Sequence, residues 1–179
     1  MAAIRGYIAT SLDGYIAERD GSVDWLRPYE DLDLGYPGFI AEIGVTVMGR
    51  HTFDQIMALG GDWPYPGQQT LVVTSRALKH AAPNVAVWHD GVAALAGHLR
   101  AMRDGDIWVV GGSMLQSAML DLGALDRLEI FVMPVLLGRG IPLFRRLVHK
   151  RQGVLQSARA MAGGVARLDY RFRSADTFF

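Results

Sequence analysis

The chain has 179 residues, a length that suits one domain, and we expect that domain to span residues 1–179. Hydrophobic residues make up 50% and charged residues 20%, a composition that excludes a disordered tail. Eighteen Lys and Arg residues balance eighteen Asp and Glu residues, so the net charge favours neither nucleic acid nor anionic lipid as a partner.

The lack of cysteine excludes disulfides, thiolate nucleophiles and zinc–thiolate sites, and it agrees with a reducing compartment. Asp13 interrupts the apolar N-terminal stretch, which distinguishes this stretch from a signal peptide. The longest apolar run, residues 130–137, is far shorter than the ~18 residues that indicate a membrane helix. We therefore expect a cytoplasmic protein that binds no membrane.

Loosely alternating apolar residues predict a first strand over residues 3–12, which ends in a turn at Asp13. An acidic loop follows over residues 23–36. It has no lasting hydrophobic period, and long loops of this kind often act as lids. A short helix is then predicted over residues 37–43 and an apolar strand over residues 45–48.

After Gly49 and Arg50 we expect a helix capped by Thr52. Strands and helices alternate until a C-terminal hairpin, whose two-residue turn is predicted at Gly163-Gly164. The remaining predicted strands cover residues 70–74, 85–88, 107–110, 127–135, 154–161 and 165–173, the predicted helices residues 92–102 and 113–122, and a predicted loop or bulge residues 136–142. This order predicts an α/β fold with a mostly parallel central sheet and an antiparallel C-terminal hairpin.

Four predicted strand ends carry glycine, hydroxyl or charged residues. In open α/β sheets ligands bind beyond the carboxyl ends of the strands, so these ends mark a candidate site. They are Asp13-Gly14, Gly49-Arg50-His51-Thr52, Thr74-Ser75-Arg76 and Gly111-Gly112-Ser113.

Two of these ends, at Gly49 and at Gly111-Gly112, place glycine where a strand turns into a helix. Such turns let backbone N–H groups approach a phosphate at the positive end of the helix. Arg50 and Arg76 can add charge-assisted hydrogen bonds, and nearby hydroxyls can share the phosphate oxygens. The hydroxyl residues are Thr52, Thr74, Ser75 and Ser113. The pattern therefore predicts a dinucleotide site with an extra phosphate.

Several well-known motifs are absent from the sequence. It contains neither G-x-G-x-x-G nor G-x-x-x-x-G-K-[ST], which disfavours a standard Rossmann domain and a P-loop ATPase. Ser113 is not a hydrolase nucleophile elbow, because that motif requires Gly two residues later and Leu115 stands there. The five His residues are widely separated and have no metal-ligand spacing, so we predict no metal site.

Four segments, in order, resemble the dihydrofolate reductase superfamily. VMGRHTF at residues 47–53 is similar to the M-G-R-x-T-[FWY] segment of dihydrofolate reductases, and IWVVGGS at residues 107–113 is similar to their second glycine motif. YIATSLDG at residues 7–14 and PVLLGRGIPLF at residues 134–144 are closer to the reductase domain of the bifunctional riboflavin-biosynthesis deaminase-reductase. The resemblance covers nearly the whole chain and implies a three-layer α/β/α fold. Since the zinc signature of the deaminase half requires Cys, the chain resembles a stand-alone reductase domain.

The resemblance implies NADPH as the cofactor, lying across the sheet. The implied contacts are Gly49, Arg50 and Thr52 with the phosphates, Thr74, Ser75 and Arg76 with the adenosine 2′-phosphate, Gly111, Gly112, Ser113, Met114 and Leu115 with the pyrophosphate and nicotinamide ribose, Ala9 with the nicotinamide, and Gly14 as a further cofactor contact. The implied reaction is hydride transfer to a small heterocycle, of the 5-amino-6-(5-phosphoribosylamino)uracil reductase type. Trp25, Trp63 and Tyr65, all in loops, can supply apolar walls for such a substrate.

Three residues are candidates for a catalytic carboxylate, and Asp13 is the favoured one. Asp13 interrupts the first strand at the expected edge of the site and belongs to the S-x-D-G segment of the riboflavin reductase type. Folate reductases carry a helix carboxylate that orients the pterin. Counting forward from Trp25 places that carboxylate at Glu30, whereas counting back from Met48 places it at Asp33.

Two other functions remain alternatives: dihydrofolate reduction, and NADPH binding without catalysis by a dimeric protein. Family analogy also predicts a homodimer, with the C-terminal strands and residues 136–144 as its surfaces.

Overall fold

A computed structural model describes residues 2–79 and 82–172 of the chain. Its helices and strands are, in order, β1 (Ile4–Ser11), β2 (Tyr15–Ala17), a 3-10 helix (Asp24–Tyr29), α1 (Tyr36–Ala41), β3 (Ile43–Gly49), α2 (Arg50–Leu59), β4 (Gln69–Val73), β5 (Val85–Trp88), α3 (Gly91–Ala101), β6 (Asp106–Gly111), α4 (Ser113–Asp121), β7 (Arg127–Met133), β8 (Ile141–Pro142), β9 (Gly153–Ala160), a second 3-10 helix (Ala162–Gly164) and β10 (Ala166–Phe172).

Eight of these strands form one sheet in the order β5-β4-β3-β6-β1-β7-β10-β9. The six strands from β5 to β7 are parallel, whereas β10 runs antiparallel to both β7 and β9. Parallel pairing brings the carboxyl ends of the six strands to one edge of the sheet, where Ser11 pairs with Met133 and Met48 with Gly111. The predicted α/β fold, with its mostly parallel sheet and C-terminal hairpin, is confirmed.

Helices cover both faces of the sheet. On the α3/α4 face, Leu95 and Leu99 of α3 and Met119 of α4 pack against inward-facing Val and Ile side chains of β3 and β6. On the α1/α2 face, Phe39 of α1 and Phe53 of α2 pack with residues of β3, β4 and β6, including Trp108. Burial of these apolar side chains holds the three layers together.

The acidic loop of residues 23–36 contains more structure than the sequence predicts. The 3-10 helix Asp24–Tyr29 lies inside it and packs Trp25 and Tyr29 against Phe131 on the α1/α2 face. These contacts join residues more than a hundred positions apart, so a local hydrophobic period cannot predict them.

Two further predictions of local structure are wrong. Thr52 does not cap α2, because the helix begins at Arg50 and has Gly49 as its N-cap residue without a side-chain cap.

The C-terminal hairpin has a three-residue connection, Ala162–Gly164, closed by a 2.8 Å hydrogen bond from the Met161 N–H to the Val165 carbonyl. Both glycines of this turn adopt positive φ. The end of the second predicted strand, Arg173, lies outside the described residues.

An ion cluster surrounds Arg5 and Glu129, which are both buried. The Arg5 guanidinium hydrogen-bonds to Glu129, Glu42 and Asp106, and Glu129 also accepts a hydrogen bond from Arg167. Burial by itself would lower the pKa of Arg5, but the hydrogen bonds to Glu129 and Glu42 outweigh it and raise that pKa. The cluster connects β1, β6, β7 and β10 across the sheet.

Candidate active site

A crevice lies between the carboxyl ends of β3 and β6. These strands are neighbours, but the helices that follow them, α2 and α4, pack on opposite faces of the sheet. The chain therefore leaves the sheet in opposite directions at this point. Such a reversal opens a crevice in which α/β proteins bind nucleotides.

Two predicted glycine turns meet in this crevice. A side-chain carbon at Gly49 would lie 3.9 Å from the Gly112 nitrogen, and one at Gly112 would lie 3.4 Å from Thr52 Oγ1. Gly111 has a φ of +146°, which L side chains rarely adopt, and its peptide bond to Gly112 is cis. Larger side chains would fill this space, so the glycines leave backbone N–H groups open to a ligand.

The N-termini of α2 and α4 both open into the crevice without a side-chain cap. Their first N–H groups are therefore free to bind an anion. The Ser113 hydroxyl donates a 2.6 Å hydrogen bond to the Pro142 carbonyl, so its proton is already used within the protein. Leu115 is buried in the core and Met114 is 73% exposed. At Ser113 and Leu115, therefore, the backbone is the group available to a ligand.

Arg50 connects the crevice to the end of β4. Its Nε donates to Asp54 at 2.7 Å, and its Nη1 donates to the Ala77 carbonyl at 2.8 Å. The backbone N–H of Arg76 donates to Thr74 Oγ1, and the side chains of Ser75 and Arg76 are exposed. The structure thus brings Arg50 and the predicted 2′-phosphate residues together on one side of the crevice.

Ala9 and Gly14 lie at the other end of the candidate site. Ala9 is half-buried on the α1/α2 face in a cluster with Phe131 and Trp25. The Trp25 indole N–H is buried and has no hydrogen-bond partner among the described residues. Gly14 has a φ of +84°, and its carbonyl accepts a hydrogen bond from the Leu143 N–H.

Asp13 organises the loop that follows β7. Its Oδ1 accepts hydrogen bonds from the Ser11 hydroxyl at 2.6 Å and the Leu137 N–H at 3.1 Å, and its Oδ2 accepts one from the Gly138 N–H at 2.7 Å. The Ser11 hydrogen bond, followed by the two backbone N–H groups, holds the pKa of Asp13 below its usual value. The carboxylate is therefore suited to accepting hydrogen bonds rather than to delivering a proton.

Asp33 lies just before α1, and no hydrogen bond links it to Asp13 among the residues that the structure describes. Its Oδ1 accepts a 2.9 Å hydrogen bond from the Gly35 N–H just before α1, and the residue is exposed. The Tyr7 hydroxyl donates to the adjacent Leu34 carbonyl at 3.2 Å, and burial raises the pKa of Tyr7 to about 12. Glu30, the alternative position, is also exposed and immediately follows the 3-10 helix.

The three aromatic residues predicted to form the substrate walls do not lie together. Trp25 covers the surface near Ala9, whereas Trp63 and Tyr65 pack with Phe53 in the α1/α2 face. Tyr65 is buried against the Trp108 ring, and Trp63 lines a separate cavity of about 270 Å³.

Two backbone groups at the site were not predicted from the sequence. Leu137 and Gly138 bind Asp13 through backbone N–H groups, which leave no signal in residue type.

Within the described ranges, no helix is long and apolar enough to cross a membrane. The same residues contain no group of three or more His, Asp or Glu side chains that could hold a metal ion.

Comparisons with known proteins place the chain in a family. The model of the RibD C-terminal domain matches residues 3–165. The uncharacterized protein YwjB of Bacillus subtilis (strain 168) is 33% identical over 165 residues, which covers 92% of this chain and 94% of YwjB.

Solved structures agree with that placement. A protein of Shewanella sp. PV-4 assigned to riboflavin biosynthesis has a TM-score of 0.82 and 26% identity, over 96% of this chain and 99% of that chain. A dihydrofolate reductase from Enterococcus faecalis, solved with NADP(H), has a TM-score of 0.64 and 20% identity over 96% of each chain, which shows the shared fold. Together these similarities confirm the predicted resemblance and support a reductase. The chain belongs to the RibD C-terminal domain family.

Proposed function

We propose that this protein is an NADPH-dependent reductase that transfers a hydride to a small heterocyclic substrate, of the 5-amino-6-(5-phosphoribosylamino)uracil reductase type. The observation that carries the proposal is the crevice between β3 and β6, where two uncapped helix N-termini meet across Gly49 and Gly111-Gly112. Two such termini suit the two phosphates of a dinucleotide.

The residues present fit this cofactor. The first N–H groups of α2 and α4 would hold the pyrophosphate, with Thr52 between them. Arg50, together with the exposed side chains of Ser75 and Arg76, would hold the adenosine 2′-phosphate. NADPH supplies the hydride when it is bound.

The protein's own part in the reaction is to position the substrate and exclude water. We propose that the substrate lies on the α1/α2 face beside Ala9, under the segment that carries Trp25. Asp33 is the proposed carboxylate that holds the substrate, and Asp13 keeps the loop after β7 in place. Holding the reacting atoms at near-attack distance is the main contribution expected from such a site.

The test is a titration of the purified protein with NADPH and separately with NADH, followed by tryptophan fluorescence and by the melting temperature. Tight binding that prefers NADPH, followed by NADPH oxidation with a riboflavin-pathway pyrimidine, supports the proposal. Oxidation with dihydrofolate alone would support folate reduction instead. Binding without turnover across a broad panel would support a non-catalytic NADPH-binding protein, and failure to bind either nucleotide would refute all three.

We also propose that the protein is a homodimer. β9 is an edge strand of the sheet, and its Val154 and Leu155 are 44% and 49% exposed. Exposed apolar edge strands commonly pair with another chain. Analytical ultracentrifugation should give twice the mass of the chain, and Leu155→Lys should shift that mass toward the monomer. A monomer for the unmodified protein at all concentrations would contradict this proposal.

A further inference from the structure

Gln116 of α4 is a polar residue in an apolar part of the core. Its side chain is fully buried, and Leu115 and Met119 of the same helix belong to the hydrophobic cluster on the α3/α4 face. The amide oxygen of Gln116 has no hydrogen-bond partner among residues 2–79 and 82–172. Burying a polar atom without a partner costs stability. The core by itself therefore favours an apolar side chain at this position.

The amide nitrogen of Gln116 binds the strand that leads into the glycine turn. Its Nε2 donates a 2.8 Å hydrogen bond to the Val109 carbonyl of β6. The pair of Val109 with Gly6 is the last one between β1 and β6, although both strands continue beyond it. The side chain of Gln116 therefore binds β6 at the point where the pairing of β6 with β1 ends.

The same segment of β6 is irregular on its other side. Val47 of β3 pairs with Val109, but the next residue, Met48, pairs with Gly111. Val110 is thus left out of the pairing, which is the arrangement of a β-bulge, and a bulge bends the strand and redirects the residues that follow it. The sheet therefore does not by itself fix the path of the chain into the glycine turn.

Gln116 also binds the far side of the glycine turn. Its backbone N–H donates a 3.0 Å hydrogen bond to the Gly112 carbonyl. One residue thus binds the chain before Gly111 through its side chain and the chain after Gly111 through its backbone. Gly6 leaves room for this arrangement, because a side-chain carbon there would lie 3.2 Å from Gln116 Oε1 and 2.6 Å from Leu128 Cδ1.

We propose that Gln116 is a positioning residue, which sets the direction of the first N–H groups of α4 toward a phosphate of the bound dinucleotide. It acts through the glycine turn and touches no ligand itself, because its side chain is fully buried. Hydrogen bonds from backbone N–H groups to a charged oxygen are strong only when the donors are well aligned. This inference rests on the proposed function, because it assumes that a phosphate lies at the N-terminus of α4.

The test separates the pyrophosphate of the cofactor from its adenosine 2′-phosphate. One probe is NADP⁺, which carries both groups and is titrated by calorimetry. The other is adenosine 2′-monophosphate, which lacks the pyrophosphate and is titrated by NMR. Gln116→Met keeps the length of the side chain but removes the donor to Val109. It should weaken NADP⁺ binding by roughly tenfold, the size expected for one impaired hydrogen bond to a charged group, and leave binding of the monophosphate unchanged.

Urea denaturation gives an independent readout of stability. Gln116→Met removes a buried oxygen that has no partner but also leaves the Val109 carbonyl without its donor, so the two effects oppose each other and the urea midpoint should change little. Met119→Ala is the matched control, because Met119 is fully buried in the same helix, one turn further from the glycine turn. It should lower the urea midpoint by leaving a cavity, yet bind both probes with unchanged affinity.

A selective loss of NADP⁺ affinity in Gln116→Met, with none in Met119→Ala, supports the inference. Three results overturn it: unchanged NADP⁺ affinity in Gln116→Met, equal losses for the two probes, or the same selective loss in Met119→Ala. If Gln116→Met does not fold, Gln116→Asn decides the question, because its shorter side chain keeps the amide but draws the donor away from the Val109 carbonyl. If the unmodified protein binds neither probe, the proposed function fails together with this inference, whereas normal NADP⁺ binding by both Gln116 variants counts against Gln116 alone.

Discussion

Arg50 shows how one residue can serve both the fold and the proposed cofactor site. Its hydrogen bonds to Asp54 and to the Ala77 carbonyl hold the end of β4 against the start of α2. Its Nη2 has no partner within the described ranges and is available to a phosphate.

Arg50→Ala should therefore weaken NADPH binding by roughly tenfold to a hundredfold, the effect of losing a hydrogen bond to a charged group. Tryptophan fluorescence titration measures the affinity. Arg103→Ala, which removes an exposed arginine at the opposite edge of the sheet, should leave NADPH affinity unchanged. Equal affinities for the unmodified protein and Arg50→Ala would assign Arg50 to the fold alone.

Gly111 is a second residue where local geometry has a measurable consequence. Its φ of +146° is strained for any residue with a side chain. Gly111→Ala should lower the free energy of unfolding by about 1–3 kcal/mol, which urea denaturation can measure. Gly67→Ala is the control, because nothing lies within 4 Å of a side-chain carbon there, and its effect should be small. Equal effects of the two substitutions would contradict this argument.

At the scale of elements, the loop after β7 depends on a residue from the end of β1. Asp13 binds the N–H groups of Leu137 and Gly138, which are 124 and 125 residues away in the chain. The short β2–β8 pair and the hydrogen bond from Ser113 to Pro142 hold the other end of the same loop. Three separate parts of the sequence thus shape one border of the candidate site.

Asp13→Ala should increase hydrogen exchange at the Leu137 and Gly138 amides, because both lose their acceptor. Since the pKa of Asp13 is lowered in the folded protein, its contribution is present above the pKa of the unfolded chain and is lost as the pH falls through the lowered value. The difference between the unmodified protein and Asp13→Ala should therefore disappear in acid. NMR exchange measurements on both proteins at each pH test this, and equal protection near neutral pH would refute it.

At the scale of the whole molecule, the buried ion cluster joins the parallel strands to the C-terminal hairpin. Arg5 and Glu129 are both buried, with only 6% of each side chain exposed. Removing one partner of such a pair leaves the other charge without full compensation. Arg5→Met should therefore lower the free energy of unfolding by about 3–5 kcal/mol.

Urea denaturation measures this loss, and Arg171→Met is the control, with an effect within about 0.5 kcal/mol because the residue is exposed. A small effect of Arg5→Met would mean that apolar packing of the methionine compensates for the lost pair. In that case the cluster would not be a main source of stability.

The local hydrophobic pattern of the sequence was enough to predict most of the helices and strands. Alternating and helical periods depend on neighbouring residues, so they predicted all eight strands of the main sheet to within a few residues, as for β5 at Val85–Trp88. The glycine turns at Gly49 and Gly111-Gly112 were also predicted, because glycine at the point where a strand turns into a helix is visible in the sequence; of the three, only Gly111 has a φ that favours glycine. Parallel pairing then brought these turns together, as expected for strand ends at one edge.

Only the tertiary structure decided which side chains remain available for chemistry. Asp13 and Ser113 are both polar residues at predicted site positions, but their hydrogen bonds to Gly138 and to Pro142 come from distant parts of the chain. Arg167 meets Glu129 and the Phe131 ring because β10 pairs with β7 in one particular register. The sequence by itself determined the elements and the family, since these depend on local pattern and motif. The partners of each polar group depend on long-range packing, which local pattern does not contain.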